Sequence, residues 1–326
     1  MVARQITRRV MRASPDEVQR ITVVGAGTMG HSIAQVFAQA GIDVDLVDLD
    51  ETALARAPRL VEANLRVLVD GGRLDPGEIP SILGRIHPTT SLAEAAARAD
   101  FAMEVVSETI AAKQAVVNAF EDAAAPDVVM ASNTSALDLF AQVTAARPER
   151  FVCAHWFMPP YIVPLVEVAG GPDSSSESLE WTADLLRRIG KQPLVMKQFA
   201  IGFIANKIMM AMGAAAEELM DDGAATLEDI DFVLKTSVGV RLGLVGIFQS
   251  LDFNGLDLIA EGTAEMGLAV PPYLKEVVDQ GFYGPKTGRG FYDYGGRSER
   301  EVVRKRDLAY LAVLDALEEA DAFSPL

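Results

Sequence analysis

The chain runs to 326 residues, more than one ordinary hydrophobic core requires, so two domains are expected. Apolar residues make up 50% and charged residues 23%, a balance that excludes a disordered chain. With 46 acidic against 29 basic side chains, the formal charge of −17 repels phosphate backbones and excludes a general nucleic-acid surface.

The only cysteine, Cys153, cannot close an internal disulfide and makes no metal cluster. It reads as a buried strand cysteine in a reducing compartment, and no metal site is expected. No apolar run approaches the roughly 20 residues of a membrane helix, so a soluble, cytoplasmic protein without a membrane partner is expected.

The first fourteen residues, MVARQITRRVMRAS, carry Arg4, Arg8, Arg9 and Arg12 without an acid. That composition fits either an organelle-targeting peptide or, the plainer reading, a short basic extension on a bacterial-type cytoplasmic enzyme. From Ile21 onward, short apolar runs alternate with helical periodicity: ITVV, a helix from Met29 to Ala40, VDLVD, then a long helix from Thr52. GGRLDPGEIP (Gly71 to Pro80) reads as a turn between helices. Further strands are expected at Phe101 to Val106, Val128 to Ser132, Phe151 to Trp156, IVPLVEV and Gln192 to Met196. This is the βαβ grammar of a parallel sheet.

After Lys197 the strand pattern stops, and GFIANKIMMAMGAAAEELMDDG, TLEDIDFVLKTS and the stretch from Phe248 to Met266 read as helices. The fold class is therefore α/β, a Rossmann-like doubly wound sheet followed by a smaller all-α domain. The expected domains are 1–198, with 1–19 as the extension, and 199–326. The tail from Ser298 to Ala320 reads as an added amphipathic helix.

GAGTMG, from Gly25 through Ala26, Gly27, Thr28 and Met29 to Gly30, follows a strand and opens a helix. In that context the first glycine permits the tight turn and the second admits a pyrophosphate. The third lets helix and strand pack closely. Asp48 closes the second strand 23 residues after Gly25, where a carboxylate accepts the ribose hydroxyls of NAD and repels the extra phosphate of NADP. NAD is the expected cofactor. His31, in the first helical turn, reads as an exposed histidine.

A nicotinamide enzyme that oxidises an alcohol needs a base for the hydroxyl proton, and histidine titrates in the useful range. His155 ends the predicted strand FVCAH, at the edge where doubly wound sheets bind ligands. Glu167, twelve residues on, is a charge among Leu165, Val166 and Val168 that needs a buried partner. A histidine–carboxylate pair satisfies both groups, as a catalytic dyad or as a structural ion pair.

SNTSAL (Ser132 to Leu137), HWFMPPYIVPLVEV, GFIANK (Gly202 to Lys207) and GPKTGRGFYDY (Gly284 to Tyr294) together resemble the L-3-hydroxyacyl-CoA dehydrogenase family. The resemblance covers Ile21 to Tyr294. It implies that His155 is the general base and Glu167 its orienting carboxylate, with Ser135 and Asn206 hydrogen-bonding the substrate oxygen. It further implies that Glu108, Lys113, Ser135 and Lys286 contact the cofactor, and that the protein is a homodimer acting in fatty acid metabolism. From the residues alone, Glu108 and Lys113 read as a solvated helix start and Lys286 as an exposed loop lysine.

Several positions depart from the family pattern. Met158 stands where the family has asparagine near the nicotinamide, and it cannot donate an amide hydrogen bond. Asn64 and Gly71 replace a serine and a lysine that face the nucleotide of acyl-CoA. Ile247 and Gln249 replace proline and glutamate. Arg241 and PPYIVPLVEV look more like the branch acting on free hydroxy acids, which includes L-gulonate 3-dehydrogenase, carnitine dehydrogenase and a lens crystallin. An arginine clamps a free carboxylate through two parallel hydrogen bonds, and a thioester offers no such charge. Arg241 reads equally as a surface arginine.

The expected function is interconversion of an L-3-hydroxyacyl group and its 3-oxo form, with a 3-hydroxyacyl-CoA or a related 3-hydroxy acid as substrate. Two alternatives stand beside it. One is a free hydroxy-acid dehydrogenase anchored by Arg241. The other is a non-enzymatic NAD(H)-binding sensor or structural protein, which the loss of asparagine at Met158 keeps open.

Overall fold

Val- and Ile-rich runs form the strands of the first unit, and the helices between them return the chain to the same sheet edge. The computed structural model describes residue 11 and residues 13–323. Arg4, Arg8, Arg9 and Arg12 of the basic extension lie outside them. In chain order the elements are β1 (Arg20–Val24), α1 (Gly30–Gln39), β2 (Asp43–Val47), α2 (Glu51–Asp70), α3 (Ile79–Leu83), β3 (Ile86–Thr89) and α4 (Leu92–Arg98). They continue as β4 (Phe101–Glu104), α5 (Ile110–Ala123), β5 (Val129–Ser132), α6 (Leu139–Gln142), β6 (Phe151–Trp156), β7 (Leu165–Gly170), α7 (Ser176–Arg188) and β8 (Gln192–Val195).

The strands make one sheet in the order β3-β2-β1-β4-β5-β6-β7-β8. β1 to β6 are parallel, β7 runs antiparallel to β6, and β8 runs parallel to β7. The order reverses between β1 and β4, the crevice where such sheets bind ligands. In the β6–β7 pair, His155 lies directly opposite Glu167.

Alternation along each strand feeds two cores. Phe101, Met103, Val152, Ala154, Trp156, Val166 and Val168 pack with α1, α2 and α7, where Phe37 meets Trp156 at 5.8 Å. The opposite face carries Ala102, Met130, Phe151, Cys153 and Ala169 against Val117, Phe120, Leu139 and Phe203. Burying one such Phe contributes about 1.5 to 3 kcal/mol. By the same alternation Glu104, Ser132, His155 and Glu167 share this second face, and the register pairs Glu104 with Ser132 and Ser132 with Cys153. Side-chain caps start the helices beside the site, as where Asp50 accepts Thr52 N–H at 2.8 Å ahead of α2.

The chain divides into two compact units, the first ending at Met210 and the second beginning at Ala211. The division falls inside α8 (Ala205–Asp221). The second unit holds α9 (Leu227–Val233), a π-turn at Leu234–Val238, α10 (Gly239–Asn254), α11 (Leu256–Glu265), α12 (Pro272–Asp279) and α13 (Glu299–Glu319). Gly246, at φ 62°, interrupts α10. Asp252, buried, accepts N–H of Phe291 and Tyr292 at 2.8 and 3.1 Å and the Tyr294 hydroxyl at 2.9 Å. The GPKTGRGFYDY motif is thereby folded onto α10, and burial, followed by the Asp252 carboxylate, pushes the Tyr294 hydroxyl well above its usual range.

Candidate functional site

At the glycine loop, the positions of two glycines are dictated by protein atoms. Gly25 has φ 110°, and a Cβ there would lie 2.6 Å from the Val105 carbonyl oxygen. A Cβ on Gly30 would lie 1.7 Å from that of Gly25. Gly27 differs, because a Cβ there would meet nothing within 4 Å. The space at Gly27 is a cradle that no side chain of the protein fills, beside a helix that begins at Gly30 and favours anions at its start. Asp48 directly follows the adjacent strand β2, with Oδ2 accepting Ala26 N–H at 2.7 Å and Oδ1 accepting Asp50 N–H at 2.9 Å. A diphosphate over the loop and a ribose at Asp48 fit this arrangement.

Contrary to the sequence expectation, His31 is buried. Its Nδ1 donates to the Gly27 carbonyl at 2.7 Å, so Nε2 accepts from the Ser32 hydroxyl at 3.1 Å. Burial lowers its pKa and keeps this tautomer neutral. Asn64 on α2 donates to Ser32 at 3.2 Å and to Gln35 at 3.0 Å, tying α2 to α1.

His155 and Glu167 meet as the sequence predicts, with Nδ1 3.0 Å from Glu167 Oε2 and both residues buried. A carboxylate only accepts, so Nδ1 carries a proton, and in the neutral ring the lone pair then falls on Nε2. The other oxygen, Oε1, accepts N–H of Ile204 and Ala205, each at 3.0 Å. Glu167 thus holds the imidazole and the start of α8, where Asn206 sits in the first turn, with one carboxylate. The Phe203 ring stacks on His155 at 4.6 Å, and Phe157 lies 4.5 Å away on a tilted plane. Phe203 takes φ 51° after Gly202 at φ 79°. A left-handed bulky residue costs about 1 to 2 kcal/mol, and here that conformation brings the ring onto the histidine.

Ser135 lies on the loop after β5. Its N–H donates to Glu108 Oε1 at 2.7 Å, as do Ala136 N–H at 3.1 Å and the Thr134 hydroxyl at 2.6 Å. Asn133 Oδ1 accepts Trp156 N–H at 2.8 Å, fastening this loop to the strand of His155. Lys113 is buried, against its reading as a solvated residue. Met158, before a cis Pro159, is 59% exposed.

Residues 20–199 match the profile of the 3-hydroxyacyl-CoA dehydrogenase NAD binding domain, and residues 202–294 match that family's C-terminal domain. The chain belongs to the 3-hydroxyacyl-CoA dehydrogenase family. The human mitochondrial hydroxyacyl-coenzyme A dehydrogenase is 33% identical over 90% of this chain and 99% of its own length. An L-carnitine dehydrogenase of Streptomyces coelicolor is 32% identical over 93% of this chain and 96% of its own. Among solved structures, a 3-hydroxyacyl-CoA dehydrogenase of Archaeoglobus fulgidus superposes with a TM-score of 0.77 at 28% identity, covering 92% of this chain and 99% of that one. Like the family, this protein is an NAD-dependent oxidoreductase acting on a hydroxyl group, and the non-enzymatic alternative is set aside.

Two residues singled out in the sequence, Lys286 by resemblance to the family and Arg241 by resemblance to its free-hydroxy-acid branch, lie in the second unit. Lys286 is paired with Asp257 at 2.6 and 2.7 Å and stands 5.5 Å over the Tyr283 ring. Arg241 is exposed on α10, with Nε donating to the Ser237 carbonyl at 3.3 Å. Sequence reasoning missed Phe203, Phe157, Asn133 and Glu104. Only GF before IANK, where glycine permits a left-handed turn, carried a signal for any of them. Among the described residues no helix is long and apolar enough to cross a membrane.

Proposed function

We propose that this enzyme interconverts an L-3-hydroxyacyl substrate and its 3-oxo form, with His155 as general base and Glu167 as its orienting carboxylate. The observation that carries the reading is the His155 imidazole, fixed through Nδ1 and left with a basic Nε2. Bound over the glycine loop, NAD supplies the hydride acceptor. His155 Nε2 takes the hydroxyl proton, and Ser135 and Asn206 donate hydrogen bonds to the substrate oxygen as it becomes a carbonyl. Phe157 and Phe203 exclude water from the imidazole, which strengthens its pair with Glu167. Gly25 to Gly30, Asp48, Glu108 and Ser135 line the cofactor's path in this proposal, and Lys286 joins them by family resemblance.

A second reading, a free hydroxy acid anchored by Arg241, draws on Asn64 and Met158. Asn64 is engaged by Ser32 and Gln35, and Met158 offers no amide. The carnitine dehydrogenase relative favours it too. An NADH oxidation screen with acetoacetyl-CoA and short 3-oxo acids separates the two. His155→Gln should lower turnover by about 10² to 10⁴ with NADH affinity intact, and unchanged turnover would sink the assignment. Met158→Asn should raise activity on the thioester if that residue diverts the site.

The same proposal includes a cytoplasmic homodimer. Leu219, Phe232, Val233, Leu258, Met266 and Leu268 of the second unit are exposed, and a second copy covering them accounts for that apolar surface. Light scattering of the purified protein reads the oligomer directly.

A further inference from the structure

Against the loop that carries Met158 lies a buried lysine, Lys191, that the proposed reaction does not use. α7 ends in a turn through Gly190 at φ 81°, where Gly190 N–H donates to the Arg187 carbonyl at 3.0 Å and Lys191 N–H to the Leu186 carbonyl at 2.9 Å. That pair of bonds is a Schellman ending, which needs a left-handed residue and so suits glycine. It delivers Lys191 to the start of β8, and the next residue, Gln192, donates its N–H to the Pro164 carbonyl at 2.9 Å. Lys191 therefore arrives where the loop between β6 and β7 ends.

The Lys191 ammonium donates to the carbonyls of Pro160 and Val163, the latter at 2.9 Å, and stands 5.3 Å over the Trp156 ring. These partners are two backbone dipoles and a π face, none of them a carboxylate. Both carbonyls belong to one tight turn, in which Ile162 and Val163 N–H each donate to the Pro159 carbonyl at 3.0 Å. In sequence the three contacts bracket Met158, with Trp156 before it and Pro160 and Val163 after it. Burial lowers the Lys191 pKa to about 8, so the ammonium persists at neutral pH and its bonds to the carbonyls are charge-assisted. An apolar chain of the same length would pack there without a desolvation cost, but would hold neither carbonyl.

We infer that Lys191 is a positioning residue for substrate: by tying the carbonyls of Pro160 and Val163 to the Trp156 ring, it fixes where Met158 stands and so sets how tightly substrate is held. The inference rests on the dehydrogenase reading, in which Met158 lies beside the nicotinamide. His155, by contrast, is placed by the β6–β7 ladder and by Glu167, which the loop does not hold. Loosening the loop therefore changes substrate binding more than the proton transfer.

The test is Lys191→Met, assayed by NADH oxidation with whichever of acetoacetyl-CoA and acetoacetate the wild type reduces. The expected result is a KM for the oxo compound raised about 5- to 20-fold with kcat within about threefold of wild type, the pattern of an interaction that serves binding rather than the chemical step. The NADH dissociation constant should stay within about twofold, because the glycine loop and Asp48 make no contact with Lys191. Amide exchange should quicken at Ile162 and Val163 and stay unchanged at Val166 and Val168. An unchanged KM beside quickened exchange would overturn the inference, as would a fall in kcat at unchanged KM. Unchanged exchange at Ile162 and Val163 would also overturn it, since the lysine would then not hold the loop. Lys191→Gln, which keeps a neutral donor, carries the same readouts with a smaller shift if the methionine variant does not fold. A wild type inactive on both oxo compounds would count against the dehydrogenase reading, while the exchange data still decide whether Lys191 holds the loop.

Discussion

Glu167→Gln separates the two duties of one carboxylate. The wild-type side chain accepts on both oxygens, from His155 Nδ1 and from N–H of Ile204 and Ala205. Glutamine has one accepting oxygen and one donating NH2, so it has two settings. With its NH2 toward Ile204 and Ala205, donors face donors and two part-buried N–H groups lose their acceptor, at up to about 1 kcal/mol each. With its oxygen toward them, both bonds survive, and the NH2 faces His155.

The second setting costs less, chiefly the charge at the start of α8, about 0.3 to 1 kcal/mol. It forces Nδ1 to accept and moves the imidazole proton to Nε2, so the ring can no longer take a proton from substrate. The expected outcome is a stability loss near 1 kcal/mol by urea unfolding, NADH affinity unchanged by fluorescence titration, and turnover lowered by about 10² to 10⁴. Turnover within about threefold of wild type, with the fold intact, would refute the tautomer argument, because a lost tautomer is a general-base loss.

Gly27→Ala should leave the stability of the free protein within about 0.5 kcal/mol and weaken NADH binding about tenfold or more, since its Cβ enters only the cofactor's space. Gly30→Ala should fail to fold, as its Cβ would occupy the Gly25 carbonyl; circular dichroism distinguishes the two. Phe203→Ala should cost about 3 to 5 kcal/mol from the emptied ring space, and Phe203→Gly no more than that, because glycine relieves the left-handed backbone. Urea midpoints for the pair test this reversal of the usual order. Glu108, lowered to about 2 from 4.5, contributes stability that is present above pH 4.5 and lost as pH falls toward 2. Exposure discounts it to about 1 kcal/mol, so the unfolding gap between wild type and Glu108→Gln should close between about pH 4.5 and pH 2.

The fold was legible where one periodicity ruled. Strands β1, β2 and β4 to β8 each carry apolar runs bounded by turn residues, and all were expected, although β4 and β7 prove shorter than FAMEVV and IVPLVEV suggested. β3, Ile86–Thr89, was not expected. Its IHPT has one large apolar residue and a proline, and it forms only because β2 offers an edge to pair with. In the site, spacing exposed the glycine loop, Asp48, His155 and Glu167, whose roles are tied to strand ends. Lys113 and His31 were misread as solvated because helical charge looks the same in sequence whether its face meets water or a carboxylate. Phe203 was hidden because its part depends on a backbone angle, which no residue pattern displays.

The register of β6 and β7 has a consequence for how this scaffold changes over evolution or under design. Because His155 and Glu167 are facing rungs of one antiparallel ladder, the seven residues after Phe157, 158–164, can lengthen, shorten or be exchanged without altering the pair's register. A slip of one rung would instead turn Glu167 to the other side of the sheet. The loop holding Met158 is thus a replaceable cartridge mounted on a fixed histidine–carboxylate pair, and new substrates can be sought by swapping that loop while the pair stays in place.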